Sequence, residues 1–179
     1  MLEAKVYIHN KTNQVCKLRK QTIFFFDLDG TLINTDSANF LSYKAALLAV
    51  MGKNASSISY NPMKRFNRSQ LSSLFPSLAK SDYDRIITEK EKFYIDYLSE
   101  TTIIKDNVEA LLKYSSTHMT VLVSNCRKDR ALATLSYHGL ADKFTDLFYR
   151  DTTLYTKKIN KYQNAINILG VSPKDVITF

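Results

Sequence analysis

The chain has 179 residues, a formal net charge of +8, 45% hydrophobic and 23% charged residues, and two cysteines. That length allows one good core and a small second lobe, and the absence of any apolar run near about twenty residues or of a basic-then-apolar leader argues against a membrane span or signal peptide. Cys16 and Cys126 are too few for a disulfide framework or a metal site, so a soluble cytoplasmic protein is expected.

The basic residues are scattered. A charge of +8 fits nucleic acid, an anionic membrane surface or an anionic small substrate, but the densest basic groups, Lys17-Leu18-Arg19-Lys20 and Lys64-Arg65-Phe66-Asn67-Arg68, are too short to mark a nucleic-acid tail, so no nucleic-acid partner is expected. Oligomeric state is not legible.

In chain order, segments 4–9 and 14–18 alternate loosely around Asn10-Lys11-Thr12-Asn13, which predicts an N-terminal β-hairpin over 4–18. His9 has no second ligand at metal spacing and reads as a surface residue. Residues 22–26 are β-branched or aromatic and predict a strand buried on both faces, as in a parallel sheet covered by helices.

That strand runs into Asp27-Leu28-Asp29-Gly30-Thr31. On an extended backbone Asp27 and Asp29 point the same way, and two carboxylates in one small space call for a hard cation such as Mg²⁺. Gly30 permits a sharp exit. Catalytic groups belong at the carboxyl end of such a strand.

Residues 36–51 carry an apolar stripe at Phe40, Tyr43, Leu47 and Val50 and an aspartate or serine to cap them, so they read as a helix. Segment 52–62 is turn-rich, and 63–75 and 81–99 read as further helices. From residue 103 the pattern changes to alternating helix and strand: helix 106–115, strand 119–123, helix 127–137, strand 147–149, helix 161–169 and strand 176–179. Alternation of this kind implies a doubly wound parallel α/β sheet whose right-handed crossovers collect the strand ends on one side.

The run Asp27-Leu28-Asp29-Gly30-Thr31-Leu32 resembles the first motif, DxDGT, of the haloacid dehalogenase-like (HAD) superfamily. The resemblance implies a Rossmann-like core over 1–35 and 106–179 with an all-helical cap inserted at 36–105. It also implies that Asp27 is the nucleophile that takes a phosphoryl group, and that Asp29 protonates the leaving oxygen and then activates water. Carbon–halogen-cleaving members lack the second aspartate, so Asp29 favours phosphoryl transfer. Both acids are implied Mg²⁺ ligands, and Gly30 and Thr31 fall at phosphate-binding positions.

Val121-Leu122-Val123-Ser124-Asn125 is similar to the second motif, which makes Ser124 the phosphate-binding hydroxyl and the Asn125 amide a second donor. Arg127 is a further candidate contact or an ordinary surface arginine. The third motif is a lysine shortly before a helix. Counting back about twelve to fourteen residues from Gly170 of Leu169-Gly170-Val171-Ser172-Pro173 favours Lys158, then Lys157, with Lys161 third. The proline that often follows this lysine is missing here. Asp175-Val176-Ile177-Thr178-Phe179 looks like the strand leading into the fourth motif, whose Mg²⁺-binding acids would follow Phe179.

The expected function is therefore a Mg²⁺-dependent phosphatase that cleaves a small phosphorylated metabolite through an aspartyl-phosphate on Asp27. A phosphate- or partner-binding module that keeps the fold, and a phosphomutase, are the alternatives. The cap is expected to close over the site and select the leaving group. Lys44, Lys64, Arg65 and Arg68 are basic residues of the cap that could face an anionic substrate, ordinary solvated positions account for them equally well, and none is preferred individually.

Overall fold

A computed structural model describes residues 22–52, 58–150 and 160–179. The hairpin expected over 4–18 lies outside them, as do Lys157 and Lys158.

Strand β1 (Ile23–Phe26) is buried along its whole length, as its four apolar residues require. It lies between β4 (Thr120–Arg127) and β6 (Val176–Thr178) in a four-stranded sheet of order β5-β4-β1-β6, with β5 (Asp146–Arg150) at the edge. All pairings are parallel, with Phe25 beside Val121 on one side and Thr178 on the other.

Side chains alternate across the sheet, as the period of two demands. Phe24, Phe26 and Leu122 pack with Val108 and Leu111 of α4 (Lys105–Ser115) and Ala131 and Leu135 of α5 (Lys128–Tyr137). Ile23, Phe25, Val121 and Val123 pack with Ala165 of α6 (Lys161–Leu169), which lies on the opposite face. The fold is thus the doubly wound parallel α/β sheet that the alternation predicts.

Between β2 (Ile33–Asn34) and β3 (Thr102–Ile103) stand α1 (Asp36–Met51), α2 (Arg68–Leu74), α3 (Lys80–Phe93) and a 3₁₀ turn at Tyr94–Glu100. These helices have their own apolar cluster of Phe40, Tyr43, Leu47, Phe66, Leu71 and Ile86, separate from the two sheet-face clusters. The antiparallel β2–β3 pair, Ile33 beside Ile103 and Asn34 beside Thr102, ties the two ends of the insertion together. It is too short to announce itself in the sequence. No helix of the described residues is long and apolar enough to cross a membrane.

Several boundaries differ from the sequence reading. The helix expected over 63–75 begins at Arg68, because the Asn67 side chain accepts a hydrogen bond from the Gln70 amide and caps it there. The helix expected over 81–99 ends at Phe93 and continues as 3₁₀, with Tyr97 out of helical geometry. The cap position of α1 is Thr35, ahead of the aspartate and serine expected there, and its hydroxyl is engaged elsewhere. Strand β4 runs on through Ser124 and Asn125 to Arg127, with a register shift after Val123.

Candidate active site

Strand β1 stops at Phe26, so Asp27 and Asp29 sit in the exit turn and the simple alternation of an extended strand does not govern them. Gly30 adopts φ 78°, a left-handed conformation that glycine takes without a Cβ penalty, and its amide donates to the Ile33 carbonyl at 2.8 Å. The Asn107 side chain on α4 donates to the Thr31 carbonyl at 2.8 Å and fixes the turn against the sheet.

The two acids have separate partners. Asp27 Oδ1 accepts from the Leu28 amide at 2.8 Å, and Asp27 Oδ2 forms an ion pair with Lys161 Nζ. Lys161 is the first residue of α6, where a cation opposes the helix dipole unless an acid answers it, and Asp27 provides that acid. Lys161, third in the sequence ranking, is therefore the lysine on Asp27 among the described residues.

Asp29 is held from three sides. Arg130 Nη2 on α5 lies 2.7 Å from its Oδ2, Arg65 Nη2 lies 3.2 Å from the same oxygen, and the Thr35 hydroxyl donates to Oδ1 at 2.9 Å. Burial alone would raise this carboxyl, but Arg130, Arg65 and Thr35 together outweigh it and hold Asp29 below the usual carboxylate range. Arg65 also reaches Asp36 Oδ1 at 3.4 Å, so one guanidinium joins the inserted helices to the turn after β1.

Ser124 is buried, and its Oγ accepts from the Cys126 amide at 3.2 Å; Asn125 is exposed beside it. Cys126 is buried too, and burial pushes its thiol up to about 11, so it stays protonated while accepting from Arg130 Nε at 2.8 Å. Strand β6, with Thr178 opposite Phe25, brings Phe179 level with Phe26, one residue short of the level of Asp27. The rings of Phe26 and Phe179 stack at 4.5 Å.

As a magnesium site, Asp27 fits in part. It is partly exposed, and with one amide and one lysine on it a carboxylate keeps lone pairs for a cation. The Asp29 side chain fits poorly, because two guanidiniums already occupy Oδ2 and would repel a cation. Each acid of the Asp27–Asp29 pair thus has its own protein cations, and no group of three or more acidic, histidine or cysteine ligands gathers among the described residues.

Arg130 escaped the sequence reading although Arg127 was considered. The two stand three apart, and a helix starting directly after β4 brings both towards the strand end.

A model of a family described as haloacid dehalogenase-like hydrolase matches residues 24–179. A haloacid dehalogenase-like hydrolase from Streptococcus pneumoniae superposes with a TM-score of 0.67 at 16% identity, over 89% of this chain and 75% of that one. A predicted phosphoglycolate phosphatase from Haemophilus somnus gives 0.69 at 16% identity, over 90% and 77%. A CbbY protein from Rhodobacter sphaeroides, in complex with xylulose-1,5-bisphosphate, gives 0.68 at 13% identity, over 88% and 76%. No curated protein matches the sequence.

Proposed function

The chain belongs to the haloacid dehalogenase-like hydrolases, and on that premise we propose that it is a phosphatase acting on a small phosphorylated metabolite. The observation that carries this reading is the division of labour between two carboxylates two residues apart. Asp27 stands at the end of β1 with a lysine beside it, and Asp29 is held ionised by two arginines. Carboxylates in unlike settings serve unlike roles.

In this reading an Asp27 oxygen attacks phosphorus and the bond to the leaving alkoxide breaks, with a proton delivered by Asp29. Water then attacks the aspartyl-phosphate and gives its proton to Asp29, releasing phosphate and restoring Asp27. The arrangement described here, with Asp29 ionised, suits the second step. Donation in the first step needs a higher Asp29 pKa, and the negative charge of a bound phosphoryl group beside it would raise it.

Lys161 would offset charge on the transferring group, with the Ser124 hydroxyl and the Asn125 amide as phosphate donors; the Gly30 and Thr31 amides, expected in that role, are taken by the Ile33 and Leu28 carbonyls. Magnesium, which the family implies, would be held through Asp27 and would supply further positive charge to the phosphoryl oxygens.

The insertion from 36 to 105 is proposed as a cap. Its separate apolar cluster lets it move as a unit, the β2–β3 pair and the contacts of Tyr94 with Thr134 and of Thr101 with His138 join it to the core, and Arg65 is a contact that closure makes and opening breaks. Phosphate release from a panel of phosphomonoesters with and without Mg²⁺ tests the reading. Release of free phosphate distinguishes it from a binding module, and the absence of isomerised product distinguishes it from a phosphomutase.

A further inference from the structure

Between the inserted helices and the carboxyl end of the sheet lies a cleft of about 160 Å³. A buried water needs about 10–15 Å³ on such a measure, so the cleft has room for a phosphate and part of its linker. It adjoins the site just described, because Asn125 and Arg130 line both.

Six cationic side chains line it: Arg65, Arg68, Lys90, Arg127, Arg130 and Arg150. Arg65 and Arg130 are answered by Asp29 and Asp36. Among the described residues no ion pair engages Arg68 or Arg127, and the one acid lining the cleft is Glu91, 3.6 Å from Lys90 Nζ.

Lys90 is 2% exposed, with Nζ 5.4 Å from the ring centre of Tyr43 and 5.1 Å from that of Tyr94. A buried ammonium is costly unless well paired, and here a second cation, Arg130, acts against it. Glu91 Oε2 is buried with no hydrogen-bond partner among the described residues, which gives a ligand hydroxyl an acceptor. Arg68, Arg127 and Lys90 together give the cleft a cationic excess that a bound oxyanion would answer.

We infer that the cleft is a second oxyanion subsite, which takes a phosphate or carboxylate carried by the leaving alcohol of the substrate. The preferred substrate is then a phosphomonoester with a second acidic group, in place of one with a neutral tail. This rests on the phosphatase reading for the first subsite and adds Arg68, Lys90 and Arg127 as specificity determinants for the second.

The test compares kcat/KM for linear diol bisphosphates of increasing length, ω-carboxyalkyl phosphates of the same lengths, and the matching alkyl monophosphates. At the best length the bisphosphate or the carboxylate should exceed its monophosphate roughly thirtyfold or more, and which of the two leads identifies the group taken. The double variant Arg68→Gln, Lys90→Met should collapse that ratio to within about threefold of one. Arg68→Gln and Arg127→Gln, each at a partly exposed position, should each lower it and carry the test if the buried substitution prevents folding.

No preference at any length in a chain that hydrolyses the monophosphates overturns the inference, as does a preference that survives all the substitutions. If nothing is hydrolysed, the phosphatase reading fails instead. The subsite is then read by calorimetric titration with inorganic phosphate, where Arg68→Gln, Lys90→Met should remove one binding event. A titration unchanged by those substitutions overturns it.

Discussion

Arg130 Nη2 and Asp29 Oδ2 lie 2.7 Å apart, although 101 residues separate them in the chain. The pair joins the turn after β1 to the helix after β4, and it makes Arg130 a positioning residue that sets the charge state of the proposed acid–base group. With an aryl phosphate, whose leaving group needs no proton, the acid limb of kcat reports the ionisation of Asp29. Removing a cation raises a carboxyl pKa, so Arg130→Gln should move that limb to higher pH. A limb that stays in place while kcat falls would assign Arg130 a purely structural role.

Lys161 is the cation on Asp27. Lys161→Met should lower kcat by about 10²–10³, the usual cost of losing one preorganised charge at a reacting group. Lys158→Met and Lys157→Met are the comparison. A larger loss for Lys158→Met than for Lys161→Met would give the role back to the residue that the sequence spacing favours.

Burial, aided by Arg130, lowers the Lys90 ammonium to about 8, while Glu91, Asp29 and Cys126 act to raise it. Tyr43 and Tyr94 are the other titratable groups facing it. As pH rises through about 8, Lys90 loses its proton, so any preference for doubly acidic substrates should decline over that range. The stability consequence has the opposite sign. Between about pH 8 and 10.4, the ordinary lysine value, the unfolded chain holds a proton that the folded chain has released, so stability rises with pH. Urea unfolding at pH 7.5 and pH 10 should show wild type gaining on Lys90→Met. A constant difference would place Lys90 in an ordinary solvated setting.

Arg65 is the guanidinium that spans the inserted helices, Asp36 and Asp29. Arg65→Gln should loosen the proposed cap, which amide exchange would read as faster exchange at the β2–β3 pair, with the protection of β1 and β4 unchanged. Unchanged exchange at Ile104, whose amide donates to the Leu32 carbonyl across the pair, would show that Arg65 does not hold the insertion in place.

Much of this architecture is legible because its signals are local. The aromatic run Phe24-Phe25-Phe26 can only be buried, and the helix–strand alternation after residue 103 admits few topologies. The tight turn after β1 follows from Asp27, Asp29 and Gly30 for the same reason. What the sequence hides depends on tertiary placement. Nothing local distinguishes Arg130 or Arg65 from a surface arginine until α5 and the inserted helices are brought against Asp29. Lys90 sits in a polar helix whose neighbours, Glu89, Glu91 and Lys92, read as a solvated face, and only packing against Tyr43 and Tyr94 buries it. Spacing from Gly170 favours Lys158, which lies outside the described residues; Lys161 at the first position of α6 reaches Asp27, a contact that spacing alone does not show.

The central claim is that Asp27 carries the phosphoryl group. Mass spectrometry of peptides from the chain, acid-quenched during turnover of a phosphomonoester with Mg²⁺, tests it most directly. The account predicts a phosphorylated Asp27 peptide in wild type, its accumulation in Asp29→Asn with a good leaving group, and its absence together with loss of phosphate release in Asp27→Asn. Phosphate release by Asp27→Asn at the wild-type rate, with no phosphopeptide in either protein, would contradict it.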